Sequence, residues 1–264
     1  MITLASDFGS PYPAAMKGVL CSHTDAQLVD IAHDLPRQDV RAAAFWLRET
    51  VPFFPPAVHL AVVDPGVGTD RRAIALRVGS HALVGPDNGL LRPVARRLAV
   101  DGNEPVVAFR IRTDDSASTT FHGRDVFAPA AAAIHEAGVE RIAAIEPTDA
   151  VVGIDPLSLD DCVDLSFPEP TLTTDRAVGE VLVVDDFGNA VTNVPGEWLA
   201  RHEADTICVN GDRIVVADTF ADVAPGERVV IIGSHGYVEC DVNRGRGDDA
   251  FGLAATSAVR FVRE

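Results

Sequence analysis

The sequence predicts an α/β protein in which an amino-terminal layered α/β domain is followed by a smaller all-β domain, a barrel or sandwich. Three observations lead to this prediction. Strand-like and helix-like segments alternate as far as about residue 138, which is typical of layered α/β folds. A proline-rich, acidic stretch follows, and after it come short β-branched segments separated by glycine or Asn-Gly turns. The chain of 264 residues, 47% of them hydrophobic, is long enough for two domains.

The amino-terminal domain is predicted over residues 1–165, with a boundary near residues 165–178. Val58–Val63 is a continuous apolar run of strand length, and Arg37–Thr50 repeats apolar side chains at helical spacing from Val40 onward. The predicted strands are Met1–Ser6, Gln27–Ile31, Val58–Val63, Ala73–Val78 and His81–Val84, and the predicted helices are Pro13–Ser22, Arg37–Thr50, Gly89–Leu98 and Gly123–Gly138.

The carboxy-terminal domain is predicted over residues 177–264. Its segments are short, rich in β-branched residues and evenly spaced, as in small β-barrels and sandwiches. The predicted strands are Ala177–Asp185, Ala190–Val194, Thr206–Val209, Arg213–Val216, Arg228–Ile232, Tyr237–Val242 and Ala254–Phe261.

Charge and composition exclude several classes of protein. Acidic residues number 39 against 22 basic ones, a net charge of −17, and such a surface repels a nucleic acid backbone. No apolar run approaches the ~18 residues of a membrane span, and Met1–Ser10 lacks the basic start of a secretory signal. The four cysteines contain no CxxC pair, so we expect free thiols and a cytoplasmic protein.

The turn after the Val58–Val63 strand carries the first candidate residues. Asp64 follows the strand directly, and a Pro-Gly turn comes next. We expect this turn to bring Arg71 back beside the carboxylate of Asp64. Ligands of α/β sheets gather at the carboxyl ends of strands, and the proline and glycines fix the turn, so the pattern favours a rigidly held functional aspartate. The alternative is that Asp64 only caps the turn.

His122 precedes a glycine at the start of a predicted helix, where backbone N–H groups favour an anion. The alternative is a structural histidine, which is the commoner role of a lone histidine, with the adjacent Arg124 and Asp125 in a buried ion pair that anchors the helix. Asp7, at the end of the first strand, has two acceptor oxygens suited to a pair of sugar hydroxyls, or it caps a turn.

Two polar turns of the second domain are further candidates. Residues 185–193 bring acids, an aromatic side chain and amides together, and residues 233–239 form a glycine-flanked polar turn. Each is also compatible with a plain loop between strands. Histidines and acids are not clustered at metal-ligand spacing, and no GxGxxG, Walker or GxSxG pattern occurs in the sequence.

Taken together, these motifs resemble the S-adenosyl-L-methionine (SAM) hydroxide adenosyltransferases, the adenosine-forming SAM hydrolases related to fluorinating and chlorinating SAM enzymes. The likeness spans nearly the whole chain, with several separate motifs in the family's order. They are SDFGSPYPAAMKGVL, VDIAHDLPRQDVRAAAF, FFPPAVHLAVVDPGVGTDRR, LVGPDNGLL, TFHGRDVFAPAAA, VDDFGNAVTNV and GSHGYVECDVN.

The resemblance implies a catalytic triad of Asp64, Arg71 and His122. It also implies a choice of nucleophile, because halogenating relatives carry other residues at triad positions. In the fluorinating branch a serine used for the halide follows the histidine, whereas Gly123 stands here. The intact triad therefore favours water over halide.

The resemblance further implies substrate contacts in both domains. Asp7 would hold the ribose hydroxyls, and Asp185, Ser234 and Glu239 the amino-acid end of SAM. The sequence departs from the family at Gln38, where halogenases place a tryptophan on the ribose, and at His235, where fluorinating relatives have arginine. The remaining implied contacts are Phe8, Phe187, Asn189, Tyr237 and Val242, the last of these by its backbone beside adenine.

The implied reaction is attack of water or hydroxide on C5′ of the ribose, which yields adenosine and L-methionine with no metal or other cofactor. The implied assembly is a homotrimer with sites between subunits, and no nucleic acid or membrane partner is expected. Three alternatives remain at this point. They are a halogenase that makes 5′-halo-5′-deoxyadenosine, a non-catalytic SAM or adenosine-binding module, and a metal-dependent phosphohydrolase that uses Asp7, Asp64 and Asp87.

Overall fold

A computed structural model describes residues 1–112, 120–147, 153–201 and 205–263. The chain divides into two compact units, Met1–Ser166 and Phe167–Glu264. In the first unit helices alternate with the strands of one sheet, and the second is all-β apart from short helices. The predicted fold class, a layered α/β domain followed by a small β domain, is confirmed.

The first unit is built on one seven-stranded sheet in the order β2-β1-β3-β5-β4-β6-β7. Strands β1, β2, β3 and β5 are parallel, whereas β4, β6 and β7 pair antiparallel. Its strands are β1 (Ile2–Ser6), β2 (Leu28–Ala32), β3 (Val58–Val62), β4 (Ala73–Val78), β5 (His81–Pro86), β6 (Val106–Arg112) and β7 (Gly153–Leu157).

Two of these strands are additions to the sequence prediction. Strand β6 alternates buried and exposed side chains over its second half, and β7 contains Pro156 within the proline-rich stretch. A proline has no N–H for the sheet, so it is tolerated in an edge strand such as β7. The sheet therefore extends further along the chain than its strongest apolar runs indicate.

Four α-helices accompany this sheet. They are α1 (Tyr12–His23), α2 (Val40–Thr50), α3 (Arg92–Gly102) and α4 (Ala128–Ala137). Helix α3 begins three residues later than predicted, because the Asn88 side chain accepts a hydrogen bond from the Leu90 N–H and donates one to the Val63 carbonyl. The predicted helix Gly123–Gly138 begins instead with a π-helical turn, Gly123–Phe127.

The largest core of the first unit lies where α1 and α4 pack on the sheet. Met16 and Leu20 of α1 are fully buried against apolar side chains of β1, including Leu4. In α4 the buried side chains are mostly alanines, among them Ala130 and Ala131, which allow the helix to approach the sheet closely. This packing fixes the π-helical turn that precedes α4.

A chain of hydrogen-bonded polar side chains runs across strands β1, β3 and β5. The hydroxyl of Thr3 lies 2.8 Å from Nδ1 of His59, and Nε2 of His59 lies 2.9 Å from Nδ1 of His81. Thr3 and His59 are buried, and burial together with the neighbouring His81 lowers the pKa of His59 to about 3. His59 is therefore neutral at any pH near 7.

The second unit is a closed seven-stranded barrel, because β10 pairs with both β9 and β14. A two-residue strand, β8, is added at the edge of β9. The strands are β8 (Thr171–Leu172), β9 (Arg176–Val184), β10 (Ala190–Pro195), β11 (Thr206–Val209), β12 (Asp212–Val216), β13 (Arg228–Ile232), β14 (Tyr237–Val242) and β15 (Ala258–Val262), with short helices α5 (Gly196–Ala200) and α6 (Gly247–Phe251).

The barrel interior is apolar and contains Val181, Val230, Val238, Cys240 and Phe261, all essentially inaccessible. All four cysteines of the chain are free thiols. Among the residues that the structure describes, no helix is both long and apolar enough to cross a membrane.

Candidate active site

Asp64, Arg71 and His122 form one hydrogen-bonded cluster at the carboxyl end of β3. Nε of Arg71 donates to Oδ1 of Asp64 at 3.1 Å, and Nη2 of Arg71 donates to Oδ2 of Asp64. Nη2 also lies 3.0 Å from Nδ1 of His122, and Nη1 donates to the Arg72 carbonyl at 2.7 Å. The two oxygens of Asp64 thus bind one edge of the guanidinium, through Nε and Nη2, so Asp64 does not only cap a turn.

The ion pair of this cluster is shielded from water. The side chains of Asp64 and Arg71 are 4% and 9% exposed, and the guanidinium carbon of Arg71 lies 5.2 Å from the centroid of the Phe127 ring. In such surroundings the attraction between the two charges is stronger than it would be in water. The Arg71 fork is therefore held in a fixed position.

The geometry also fixes the protonation state of His122. A guanidinium has no acceptor, so Nδ1 of His122 accepts the bond from Arg71 and the neutral ring carries its proton on Nε2. Burial, followed by the positive charge of Arg71, lowers the pKa of His122, against weaker raising effects of Asp64 and Asp125. A neutral imidazole with its proton on Nε2 is a hydrogen-bond donor through that atom.

Beside this cluster lies a cavity of about 500 Å³. It is lined by Asp7, Phe8, Tyr12, Arg37, Gln38, Asp64, Thr120, Phe121 and Arg124, so it has two acidic residues in its wall. The rings of Phe8, Tyr12 and Phe121 meet edge to face, with centroids 5.6 to 6.4 Å apart. The sequence analysis did not assign Tyr12, Arg37 or Phe121 to the site, although each lies within a motif that it singled out.

Arg124 and Asp125 form the ion pair that was offered as an alternative, with Nε of Arg124 at 2.6 Å from Oδ1 of Asp125. The expectation of a buried pair is wrong, because the Arg124 side chain is 44% exposed. Arg124 stacks on Phe121 and lines the cavity, so it belongs to the cavity wall and not to a helix anchor in the core.

Asp7 is held by backbone and side-chain contacts at the end of β1. Its Oδ2 accepts the Gln38 N–H at 2.7 Å, which leaves further acceptor capacity on the carboxylate. The preceding Ser6 hydroxyl lies 2.8 Å from Nδ1 of His33, and Nε2 of His33 lies 3.1 Å from Oδ1 of Asp30. Asp30 in turn accepts a 2.5 Å bond from Lys17 of α1. The only lysine of the sequence thus terminates a chain of contacts that reaches Ser6, the residue before Asp7.

Gly123 lies where the π-helical turn meets the aromatic side chains. A Cβ at this position would stand 3.0 Å from the Phe121 ring, 3.1 Å from Sδ of Met16 and 3.2 Å from the Phe8 ring. These separations are shorter than ordinary van der Waals contacts, so any side chain here would displace a cavity-lining ring.

We expect Gly123→Ala to lower the rate of product formation about tenfold, because Phe8 and Phe121 must move while His122 is directly adjacent. Gly18→Ala on α1 is the matched control, since a Cβ there meets nothing within 4 Å. It should preserve activity and stabilise the fold by about 0.5 kcal/mol. Full activity of Gly123→Ala, measured beside thermal melts of both variants, would contradict this account.

The second unit holds the remaining predicted residues. Asp185 follows β9 and accepts hydrogen bonds from the backbone N–H and the side-chain amide of Asn189, both at 2.9 Å. Phe187, at the tip of the same turn, is 80% exposed. The predicted residues near and on β14 are placed differently: Ser234 is exposed, Tyr237 is half-buried, and Glu239 and Val242 are buried.

Glu239 has an unusual setting for an acid. It is 6% exposed, and burial, followed by the charge of Asp185, raises its pKa to about 7. Asp241, two residues on, is fully buried, and sequence analysis missed it. The sequence signal for Asp241 was the alternation of side chains along a strand, which places Tyr237, Glu239 and Asp241 on one face of β14.

Across the described ranges, no three His, Cys, Asp or Glu side chains are grouped so as to hold a metal ion. Asp7, Asp64 and Asp87 therefore do not form the metal site that a phosphohydrolase of the kind considered above would need. The carboxylate of Asp87 is engaged by Arg72 at 2.8 Å and by the Val163 N–H.

Two family models match the chain. Residues 2–144 match the SAM hydroxide adenosyltransferase N-terminal domain, and residues 179–260 match the C-terminal domain of the same name. Among curated proteins, "(R)-S-adenosyl-L-methionine hydrolase" of Salinispora tropica is 40% identical, over 98% of this chain and 96% of that protein. A protein of the same name from Thermus thermophilus is 39% identical, over 97% of each chain.

Solved structures show the same architecture. An uncharacterized conserved protein from Thermotoga maritima superposes with a TM-score of 0.82 at 31% identity, over 99% of this chain and 100% of that one. A conserved hypothetical protein from Thermus thermophilus gives a TM-score of 0.73 at 38% identity, over 99% of both chains.

Proposed function

The chain belongs to the SAM hydroxide adenosyltransferase family, and from this membership we infer that it is an enzyme that hydrolyses SAM to adenosine and L-methionine. The structural observation that carries the inference is the bonded cluster of Asp64, Arg71 and His122 beside a cavity that also contains Asp7. We further propose the roles of the individual residues set out below.

The reaction is a displacement at C5′ of the ribose. The oxygen of water bonds to C5′, the C5′–S bond breaks, and its electron pair passes to sulfur, which leaves as the neutral thioether of methionine. A sulfonium is already positive, so the leaving group needs no general acid. The protein must instead hold one water in line with the C5′–S bond and stabilise the hydroxide character that it develops.

We propose that the three residues divide this work. His122 donates from Nε2–H, so we assign it to orient the water and to stabilise its developing negative charge. Asp64 is the member of the cluster that lines the cavity, and we assign it to accept the proton of the water. Arg71 fixes both partners at once through a single nitrogen, Nη2.

We propose that Asp7 binds the ribose hydroxyls through its remaining acceptor capacity, with Phe8 beside the nucleoside. Asp185, Ser234 and Glu239 would hold the amino-acid end of SAM. Support for this comes from the chemistry, since a cationic α-ammonium is matched by carboxylates. The other proposed contacts of the second unit are Phe187, Asn189, Tyr237 and Val242.

The proposed assembly is a homotrimer in which the amino-terminal unit of one subunit and the carboxy-terminal unit of a neighbour share each substrate. The 80% exposure of Phe187 supports a contact outside its own chain, because a ring this open is an apolar surface that a partner or ligand would cover. The four free thiols support a reducing, cytoplasmic setting.

Incubation of the purified chain with SAM should yield adenosine and methionine in equal amounts. Both products are measured by liquid chromatography and mass spectrometry. In ¹⁸O-water the adenosine 5′ hydroxyl should carry the label, because the new C5′–O bond comes from water. Both sulfonium epimers should be supplied separately, since the names of the relatives specify (R).

Three results would contradict hydrolysis at C5′. Unlabelled adenosine would exclude attack by water, and accumulation of 5′-halo-5′-deoxyadenosine in a chloride or fluoride titration would indicate a halogenase. Binding of SAM without product, together with no effect of His122→Ala, would indicate a non-catalytic module.

A further inference from the structure

Three carboxyl groups lie close together in the barrel unit. Asp185 follows β9 directly, and Glu239 and Asp241 lie on β14. The last two are separated by one residue, Cys240, whose side chain lies in the barrel core. Residues two apart on a strand share a face and lie about 7 Å apart. Glu239 and Asp241 are therefore neighbours on the face opposite the core.

Asp241 is the least expected member of this group. Its side chain is fully buried, and neither carboxylate oxygen has a hydrogen-bond partner among the residues that the structure describes. In the part of the chain that the structure describes, neither Asp241 nor Glu239 forms an ion pair. A buried carboxyl without partners costs free energy, so its presence points to a partner absent from the isolated chain.

The surrounding backbone is shaped to hold these carboxyls in place. A Cβ on Gly233 would stand 1.7 Å from Oε1 of Glu239, so the carboxylate occupies the space that any other residue would fill. A Cβ on Gly247 would stand 2.8 Å from Cα of Asp241. In the ladder, Val191 and Ile231 flank Glu239, and Val229 faces Asp241. The site is thus closely packed on its flanks and apolar around the acids.

The cations of the elements packed on β14 are engaged with other acids. Arg246, at the start of α6, pairs with Asp248 and approaches Asp249, and Arg228 of β13 pairs with Asp212. Glu197 of α5 is exposed. The charges that act on Asp241 are the carboxylates of Glu239 and Asp185, both of the same sign.

Burial, followed by these like charges, raises the pKa of Asp241 to about 8 and that of Glu239 to about 7. Two adjacent carboxyls with raised pKa values titrate as a pair, and near neutral pH they keep about one proton between them.

We propose that Glu239 and Asp241 form a proton-sharing carboxyl pair that recognises the primary ammonium group of the substrate and releases the shared proton when that group binds. The inference rests on the proposed function, because SAM brings one alkylammonium, its α-amino group. The ammonium remains protonated and donates to Glu239, and the displaced carboxyl proton passes to solvent. Glu239 contacts the ligand, and Asp241 is a positioning residue that acts through it.

The test uses S-adenosyl-L-homocysteine and its desamino analogue, titrated into the full chain by calorimetry at pH 7.5. S-Adenosyl-L-homocysteine keeps the ammonium but has a neutral thioether, a far poorer leaving group than a sulfonium. Two buffers of different ionisation enthalpy reveal the protons released on binding. We expect between about half a proton and one proton per site with the amino compound, and none with the desamino analogue.

Asp241→Asn is the informative variant, and Asp186→Asn, an exposed acid one residue from Asp185, is the matched control. Asp241→Asn should abolish proton release and raise KM for SAM about fivefold at pH 8, with kcat within twofold. In wild type, KM for SAM should fall as pH rises from 7 to 8. In the variant, KM should not fall over this pH range. Asp241→Ala serves as a second variant if melts show that the asparagine variant does not fold.

Each outcome separates the two proposals, because turnover of SAM is measured independently of binding. Equal proton release by wild type and Asp241→Asn, or with and without the ammonium, overturns the carboxyl pair. Turnover of SAM without binding-linked proton release overturns it as well and leaves hydrolysis standing. Proton release on binding of the amino compound without any turnover of SAM supports the carboxyl pair and contradicts the assignment as a hydrolase.

Discussion

Replacing Arg71 by lysine is expected to lower kcat for adenosine formation by a factor of about 10² to 10³, with KM for SAM within about threefold of wild type. Arg71 donates to both oxygens of Asp64 and, through Nη2, to Nδ1 of His122. A lysine ammonium is a point charge without a fork, so it cannot hold all three atoms. His122 would lose the bond that fixes its Nε2–H tautomer, and the water would lose its oriented donor.

Arg72→Lys is the matched control for this substitution. Arg72 is adjacent in sequence, but it pairs with Asp87 and donates to the Asp161 carbonyl, and neither group belongs to the cluster around Asp64. Its lysine variant should keep kcat within about twofold of wild type. If Arg71→Lys retained more than a third of wild-type kcat while both variants melted normally, the positioning role of the guanidinium would be wrong.

Acid should destabilise the first unit through His59. In the folded state its pKa is lowered to about 3, by burial first and then by His81, whereas an unfolded histidine has a pKa of about 6.5. Between these values the unfolded chain binds more protons, so stability falls as pH decreases from 6.5 towards 3. At pH 5 the loss from this residue amounts to about 2 kcal/mol relative to pH 7.5.

The measurement compares urea unfolding at pH 7.5 and pH 5 for wild type, His59→Asn and His23→Asn. Asparagine can keep a bond to Thr3 but does not titrate, so His59→Asn should show a drop between the two pH values that is smaller by about 2 kcal/mol. His23 is exposed, and its Nδ1 lies against the Val19 carbonyl of its own helix, so its variant should keep the full drop. An equal drop in all three proteins would show that His59 is not the acid-sensitive group.

The sequence predicted the fold better at its strong apolar runs than at its weak ones. Strand β3 was evident from an unbroken apolar segment, whereas β7 was missed because Pro156 and neighbouring acids are typical of a linker. An alanine-rich segment located α4 but could not reveal the π-helical turn of Gly123–Phe127, because that turn depends on packing against residues distant in sequence. Local patterns predict elements, and tertiary contacts determine their irregular ends.

For the site, the sequence indicated residue types and motifs but not their connections. The resemblance implied that Asp64, Arg71 and His122 act together, but only the fold shows which atoms bond, with Arg71 Nη2 reaching Nδ1 of His122 across 51 residues. The tautomer of His122 follows from that single bond and has no sequence signature. Asp241 escaped notice because an acid inside a strand is usually exposed, and its burial depends on how the barrel closes around β14.

The single lysine has a practical consequence for handling this protein. Reagents that acylate side-chain amines have one target in the sequence, Lys17, and its amine is the terminal donor of the contacts that reach Ser6 through Asp30 and His33. Amine coupling to a sensor chip or fluorophore would therefore remove the charge at the end of the contacts that reach Ser6, the residue before Asp7. Attachment through a carboxy-terminal tag offers immobilisation chemistry that leaves both Lys17 and the carboxylates of the site unmodified.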